Sequence, residues 1–129
     1  MMDEKLLFTK EHEWIKVEGN IATVGITDFA QSELGDIIFV ELPEIDDNFI
    51  SNDVFGTIEA VKTVADLFMP ISSQIIEINT LIEDSPEKIN DDAEGEGWIV
   101  KIKIANNDEL NNLLTQDEYN KLIQPSVYD

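Results

Sequence analysis

The sequence contains no cysteine and no arginine, a single histidine, and only 8 lysines against 28 acids. Without cysteine there is no disulfide, no thiolate nucleophile and no zinc–thiolate site, which fits a reducing compartment and means that any sulfur chemistry must be imported. The formal net charge is −20. Nucleic acid and anionic membrane surfaces would repel such a chain at long range, so partners are expected to be proteins with basic docking surfaces. The same acidity also keeps a small protein soluble. No apolar run approaches the length of a membrane span.

The inventory for catalysis is equally thin. A nucleophile needs a base and an orienting group, yet His12 is the only histidine and no serine sits in a nucleophile elbow. Beside Glu11, Glu13 and Trp14, His12 reads as a structural residue. Gly95-Glu96-Gly97 is too short and too acidic to cradle phosphate. The acids between Glu44 and Asp53 lack calcium-loop spacing and its glycine. The chain is expected to catalyse nothing itself and to hold no metal.

What is present is a 129-residue chain with 43% hydrophobic residues, enough for one core. It reads as one domain, 1–129, with a core over roughly 8–123 and a loose tail from Pro125. Phe8 to Val17 turns Trp14, Ile15 and Val17 toward an apolar face, and Glu18-Gly19-Asn20 leads into the strand Ile21–Ile26. Residues 27–35 predict a short helix, with Thr27 or Asp28 as N-cap, Gln31 completing a capping box on Asp28, and Gly35 as its stop. Ile37–Leu42 predicts a buried strand ended by Pro43. Gln74–Asn79 predicts another strand, and Asp84–Asn90 a helical turn capped by Ser85 with Pro86 at its first position. Trp98–Ile104 predicts a strand with Trp98, Val100, Ile102 and Ile104 inward. Leu110, Leu113 and Leu114, then Tyr119, Leu122 and Ile123, predict two short helices or one broken one, the second opened by a Thr115/Glu118 capping box. Many short strands with few helices indicate an all-β sandwich or barrel-like domain.

Between the strand-like runs of Asp53–Gln74 lies the most informative feature. No Asn-Gly, Asp-Gly or Gly-Gly closes this hairpin. Lys62 stands there, and a lysine at a hairpin tip points its four-carbon stem and amine into solvent, where an enzyme can acylate it. Glu59 and Asp66 flank it as a potential carboxylate pair, although strand-end acids are most often simply solvated. Taken alone, an exposed lysine is most often a solvated residue guarding a strand end.

Glu59-Ala60-Val61-Lys62-Thr63, with Gly56 upstream and Asp66 and Pro70 downstream, resembles the lipoylation segment of the glycine cleavage system H proteins. Glu11-His12-Glu13-Trp14, Ala22–Asp28 with Ala30-Gln31, Leu34-Gly35-Asp36, Phe39–Pro43 and Gly95–Trp98 resemble further blocks of that family, in its order, over roughly Phe8 to Ile123. The resemblance implies a barrel-sandwich hybrid of two antiparallel sheets with short peripheral helices and a C-terminal helical segment. It implies lipoic acid amide-linked to Lys62. Three enzymes would be served in turn: glycine decarboxylase (P protein), aminomethyltransferase (T protein) and dihydrolipoamide dehydrogenase (L protein), after a lipoyl-attaching enzyme has modified the lysine.

The resemblance further implies that the loaded arm folds back on the domain, with Glu13 and Asp66 lining its resting place and Glu59 near the attachment point. As residues alone, Glu13 and Asp66 read as solvated strand positions. Two departures stand out: Ala60 where the family commonly has Ser, and Ser73 where Gly is usual, so that the turn there changes type or carries backbone strain. Val61 and Thr63 argue against a biotinyl carrier, which carries Met on both sides of its lysine. The alternatives are a lipoyl-relay H-like protein, a lipoyl domain of another multienzyme complex, and an unmodified acidic interaction module. Met1-Met2-Asp3-Glu4-Lys5 lacks the basic start of a targeting segment, so bacterial cytoplasm is expected, with the mitochondrial matrix for a processed chain as the alternative.

Overall fold

The computed structural model describes residues 4–124. Its elements run β1 (Glu4–Phe8), β2 (Glu13–Glu18), β3 (Ile21–Ile26), α1 (Asp28–Leu34), β4 (Ile37–Glu41), β5 (Asn48–Phe49), β6 (Val54–Ala60), β7 (Val64–Phe68), β8 (Ser73–Ile78), α2 (Thr80–Asp84), α3 (Lys88–Asp91), β9 (Val100–Ile104), a 3-10 helix (Asn107–Asn112) and α4 (Gln116–Ile123). Six strands form one sheet in the order β1-β2-β3-β9-β8-β5, and β4-β6-β7 form a second. Every pairing is antiparallel. This is the two-sheet architecture expected. Among the described residues no helix is long and apolar enough to cross a membrane. Pro125, the expected start of the tail, lies outside the described residues.

The core follows from strand alternation. Ile15, Val24, Ile58, Ile71, Ile75, Ile99, Val100 and Ile102 are fully buried between the sheets. Each such side chain removed from water contributes on the order of 1.5–3 kcal/mol before entropy is counted. A second, smaller cluster of Phe8, Trp14 and Tyr119 lies on the other side of the large sheet. Trp14 therefore does not share a face with Ile15 and Val17 as expected, because neighbouring residues of a strand point to opposite faces. Its indole N–H donates to the Ala93 carbonyl at 3.0 Å, and its ring occupies the space over Gly25, its partner across the β2–β3 ladder. A Cβ on Gly25 would meet that ring at 2.7 Å.

Other expectations need correction. Strand β1 precedes the expected first strand, and the β1–β2 turn has no glycine; His12 takes the positive φ, 70°, in its place. Helix α1 is capped by Thr27, whose Oγ1 accepts from Ala30 N–H at 3.2 Å, while Gln31 merely donates from its side chain to Asp28 at 2.9 Å. Strand β4 is not buried throughout: a register shift between Ile37 and Phe39 turns Ile38 and Phe39 outward, 53% and 54% exposed. Asn79 caps α2 instead of ending β8, and Ser85 terminates that helix, which the sequence reading missed; α3 starts at Lys88 without a side-chain cap. Trp98 lies ahead of β9 and is half-buried, with Lys101 Nζ 5.2 Å from its ring centroid, whereas Ile99 is the buried neighbour. The Thr115/Glu118 capping box forms, but Leu122 stays exposed while Tyr119 and Ile123 pack. Ser73 carries no left-handed backbone. It sits within β8, and its departure from glycine shows instead as a buried hydroxyl with no partner.

Candidate functional site

Strands β6 and β7 pair from Val54/Phe68 to Glu59/Val64 and leave Val61-Lys62-Thr63 as the tip. Two hydrogen bonds hold it. Ala60 N–H donates to the Thr63 carbonyl at 2.7 Å, and Val61 N–H donates to the Asp36 carbonyl at 3.0 Å. The second bond docks the tip on the end of α1, so the lysine is displayed from a fixed base. Lys62 is exposed between Val61 and Val64, which are 72% and 60% exposed. Its stem does not stand free in solvent. It lies over Gly35, the residue that ends α1 with φ 79°, where a cation is favoured by the carbonyl end of the helix.

From this end of α1 a cleft of about 440 Å³ runs between the helix and the free edge of β7. Its walls are mostly apolar: Ile26, Phe29, Ala30 and Leu34 on one side, Ile58, Ala65 and Leu67 on the other. Glu11 and His12 contribute from the β1–β2 turn, Glu13 from the start of β2, Glu33 from α1 and Asp66 from β7.

Glu13 is the chemically distinctive group. It is 2% exposed. The Thr9 hydroxyl donates to its Oε1 at 2.6 Å, and Phe68 N–H of β7 donates to its Oε2 at 3.3 Å. Burial pushes its carboxyl up from the ordinary 4.5 to about 7, against the lowering effect of those two donors, with Glu11 nearby adding a further rise. The solvated-strand reading of Glu13 is thus overturned. A second cavity, about 290 Å³, also reaches Glu13 and Glu11 from the side of Pro70 and Leu113.

Asp66 is exposed at the cleft's rim. Glu59 is exposed on the same face of the small sheet but does not line the cleft. The two are not directly opposite one another: Glu59 faces Val64 and Asp66 faces Thr57, a diagonal across the β6–β7 ladder. Both acids are exposed, as strand-end acids usually are. Of the residues singled out from sequence, the structure gathers Glu13 and Asp66 in one cleft; Lys62 does not line it but lies over Gly35, next to the lining residue Leu34. Thr9 was missed, although a Thr four residues ahead of an inward Glu across a tight turn is placed to reach it.

A buried carboxyl, three further acids in the lining (Glu11, Glu33 and Asp66) and apolar walls suit a flexible alkyl arm ending in a cation. The family model described as Glycine cleavage H-protein matches residues 6–126. Glycine cleavage system H proteins of two Staphylococcus epidermidis strains are 53% and 52% identical over 116 residues, 90% of this chain and 92% of theirs. The crystal structure of a glycine cleavage system H protein from Mycobacterium marinum superposes with a TM-score of 0.83 at 36% identity, covering 91% of this chain and 94% of that one.

Proposed function

The chain belongs to the glycine cleavage H-protein family, and from that premise we propose that Lys62 bears its lipoyl group and that Glu13 and Asp66 line the resting place of the loaded arm. The protein is a lipoyl carrier and not a catalyst: it takes the aminomethyl group of glycine from glycine decarboxylase to aminomethyltransferase, and dihydrolipoamide dehydrogenase reoxidises it. The lipoyl group supplies the sulfur pair that holds the one-carbon unit and cycles through reduction.

The chain's own residues supply reach, shelter and charge. The observation that carries the assignment of Lys62 is its display at a braced hairpin tip beside the cleft, joined to the end of α1 through the Val61–Asp36 bond. The apolar walls exclude water from an arm laid between α1 and β7. The Glu13 carboxylate accepts hydrogen bonds from a protonated amine, a contact stronger than a neutral one, and Asp66 adds negative charge at the rim. Glu59, at the root of the tip, gives the attaching enzyme an acid to read beside the lysine. One carrier domain with its core over roughly 8–123 fits this role, and bacterial cytoplasm is the compartment supported by the staphylococcal relatives.

Lys62→Arg tests the assignment, because it keeps the charge and removes the acylable amine. The variant should fold like the parent and fail to support glycine-dependent carbon dioxide exchange. Full exchange activity would overturn it.

A further inference from the structure

We propose that Tyr119 is a positioning residue for the cleft: one hydroxyl, delivered from α4, ties the N-cap of α1, the helix of one wall, to the β1–β2 turn that leads into Glu13. The inference builds on the reading of the cleft as that resting place. Tyr119 lines no part of the cleft. Its Oη lies 2.6 Å from Thr27 Oγ1 and 2.8 Å from His12 Nδ1. Thr27 is the N-cap of α1, the helix that forms one wall. His12 precedes Glu13 and itself lines the cleft.

One assignment of the protons satisfies every hydroxyl of this chain. Ala30 N–H donates to Thr27 Oγ1. With the Thr27 proton assigned to Tyr119 and the Tyr119 proton assigned to His12 Nδ1, every hydroxyl proton has an acceptor, and the ring is assigned the Nε2–H tautomer. Such a chain is mutually reinforcing in a buried setting. Burial raises the Tyr119 phenol above its ordinary pKa, with Thr27 opposing and Glu94 and Glu13 adding to the rise, so it keeps its proton at neutral pH.

The anchored segment needs holding. His12 has φ 70°, a left-handed conformation that disfavours residues other than glycine. That conformation makes the turn that sends Glu11 and Glu13 to the cleft. Three contacts keep it there: the His12 carbonyl accepts from Thr27 N–H at 2.9 Å, the ring meets Phe29 at 4.9 Å between centroids, and Nδ1 meets Tyr119. Tyr119 is itself fixed by stacking on Phe8, with centroids 4.7 Å apart. The C-terminal helix thereby sets where Glu13 stands without touching the arm.

The test compares Tyr119→Phe, which keeps the Phe8 stack and loses the hydroxyl, with Tyr119→Leu, which loses both, and with Glu13→Gln. In the unlipoylated proteins, nitrogen NMR of His12 should report a single Nε2-protonated tautomer in the parent and a mixture in Tyr119→Phe. In the lipoylated, loaded proteins, held well below their unfolding temperatures, Tyr119→Phe should release formaldehyde and ammonia roughly fivefold faster than the parent, the factor one lost neutral hydrogen bond corresponds to. Tyr119→Phe should add little to the effect of Glu13→Gln, since both act on one group. A parent-like tautomer and release rate in Tyr119→Phe, with only Tyr119→Leu impaired, would reduce Tyr119 to packing and overturn the proposal. Parent-like release in Glu13→Gln would instead remove the cleft reading, and the proposal with it.

Discussion

Lys62 rests the end of its stem on Gly35, where a Cβ would stand 3.4 Å from Cε and 3.9 Å from Nζ. The stop of a seven-residue helix and the tip of a hairpin 27 residues further along thus form one small platform. Gly35 has φ 79° and ψ −154°, a region that is nearly glycine's alone.

Gly35→Ala is therefore expected to destabilise the fold by about 1–3 kcal/mol, read as a lowered midpoint in denaturant. The lysine stem is flexible enough to move aside, so the variant should still be lipoylated. An unchanged midpoint would mean that the α1 stop is not strained.

Glu13 gives the protein a signed pH response. The folded state keeps the Glu13 proton up to about pH 7, whereas an unfolded glutamate loses it near 4.5. Between those values the folded state binds more protons, so raising the pH favours unfolding, and the contribution is fully present below the lower value and gone above the upper one. Relative to Glu13→Gln, the parent should lose about 3 kcal/mol of stability across that window, at about 1.4 kcal/mol per pH unit. A difference between the two proteins that stays constant with pH would contradict this. The hold on a cationic arm runs the other way, strengthening as Glu13 ionises. Glu13→Gln with Asp66→Asn should leave lipoylation intact and shorten the life of the loaded carrier when aminomethyltransferase is absent; an unchanged lifetime would show that these acids form no clamp.

How much of this was legible in the sequence depends on how local each feature is. The Lys62 hairpin and the Thr115/Glu118 cap were readable because neighbours in the chain specify them. Glu13 could have been found: it shares parity with Ile15 and Val17, so alternation alone puts it on the inner face. The Tyr119–His12 contact spans 107 positions, and no local pattern encodes it. Strand β1 was hidden because its turn uses His12 where glycine signals are sought. The exposed Phe39 follows from a bulge, which an apolar run does not reveal.

Ser73 offers a test of packing. Its hydroxyl is buried in β8 without a partner, and an unsatisfied buried hydroxyl costs about 1–3 kcal/mol. Ser73→Ala should raise stability by on the order of 1 kcal/mol, visible as an increased thermal midpoint. A loss of stability would show that the hydroxyl is satisfied after all.

The net charge of −20 predicts electrostatic steering toward the partner enzymes. Lipoylation neutralises Lys62 and takes the net charge from −20 to about −21, so association should be steered by basic surfaces on the partners. On-rates should fall as the screening length drops from about 10 Å at 0.1 M salt to about 3 Å at 1 M. Rates that stay flat across that range would contradict electrostatic steering.

The central claim is that Lys62 carries the arm, and intact mass of the protein from its native cell, followed by peptide mapping, tests it most directly. A lipoyl increment confined to the peptide containing Lys62 is the expected result. An unmodified chain, a biotin increment, or a lipoyl group on another of the 8 lysines would contradict it.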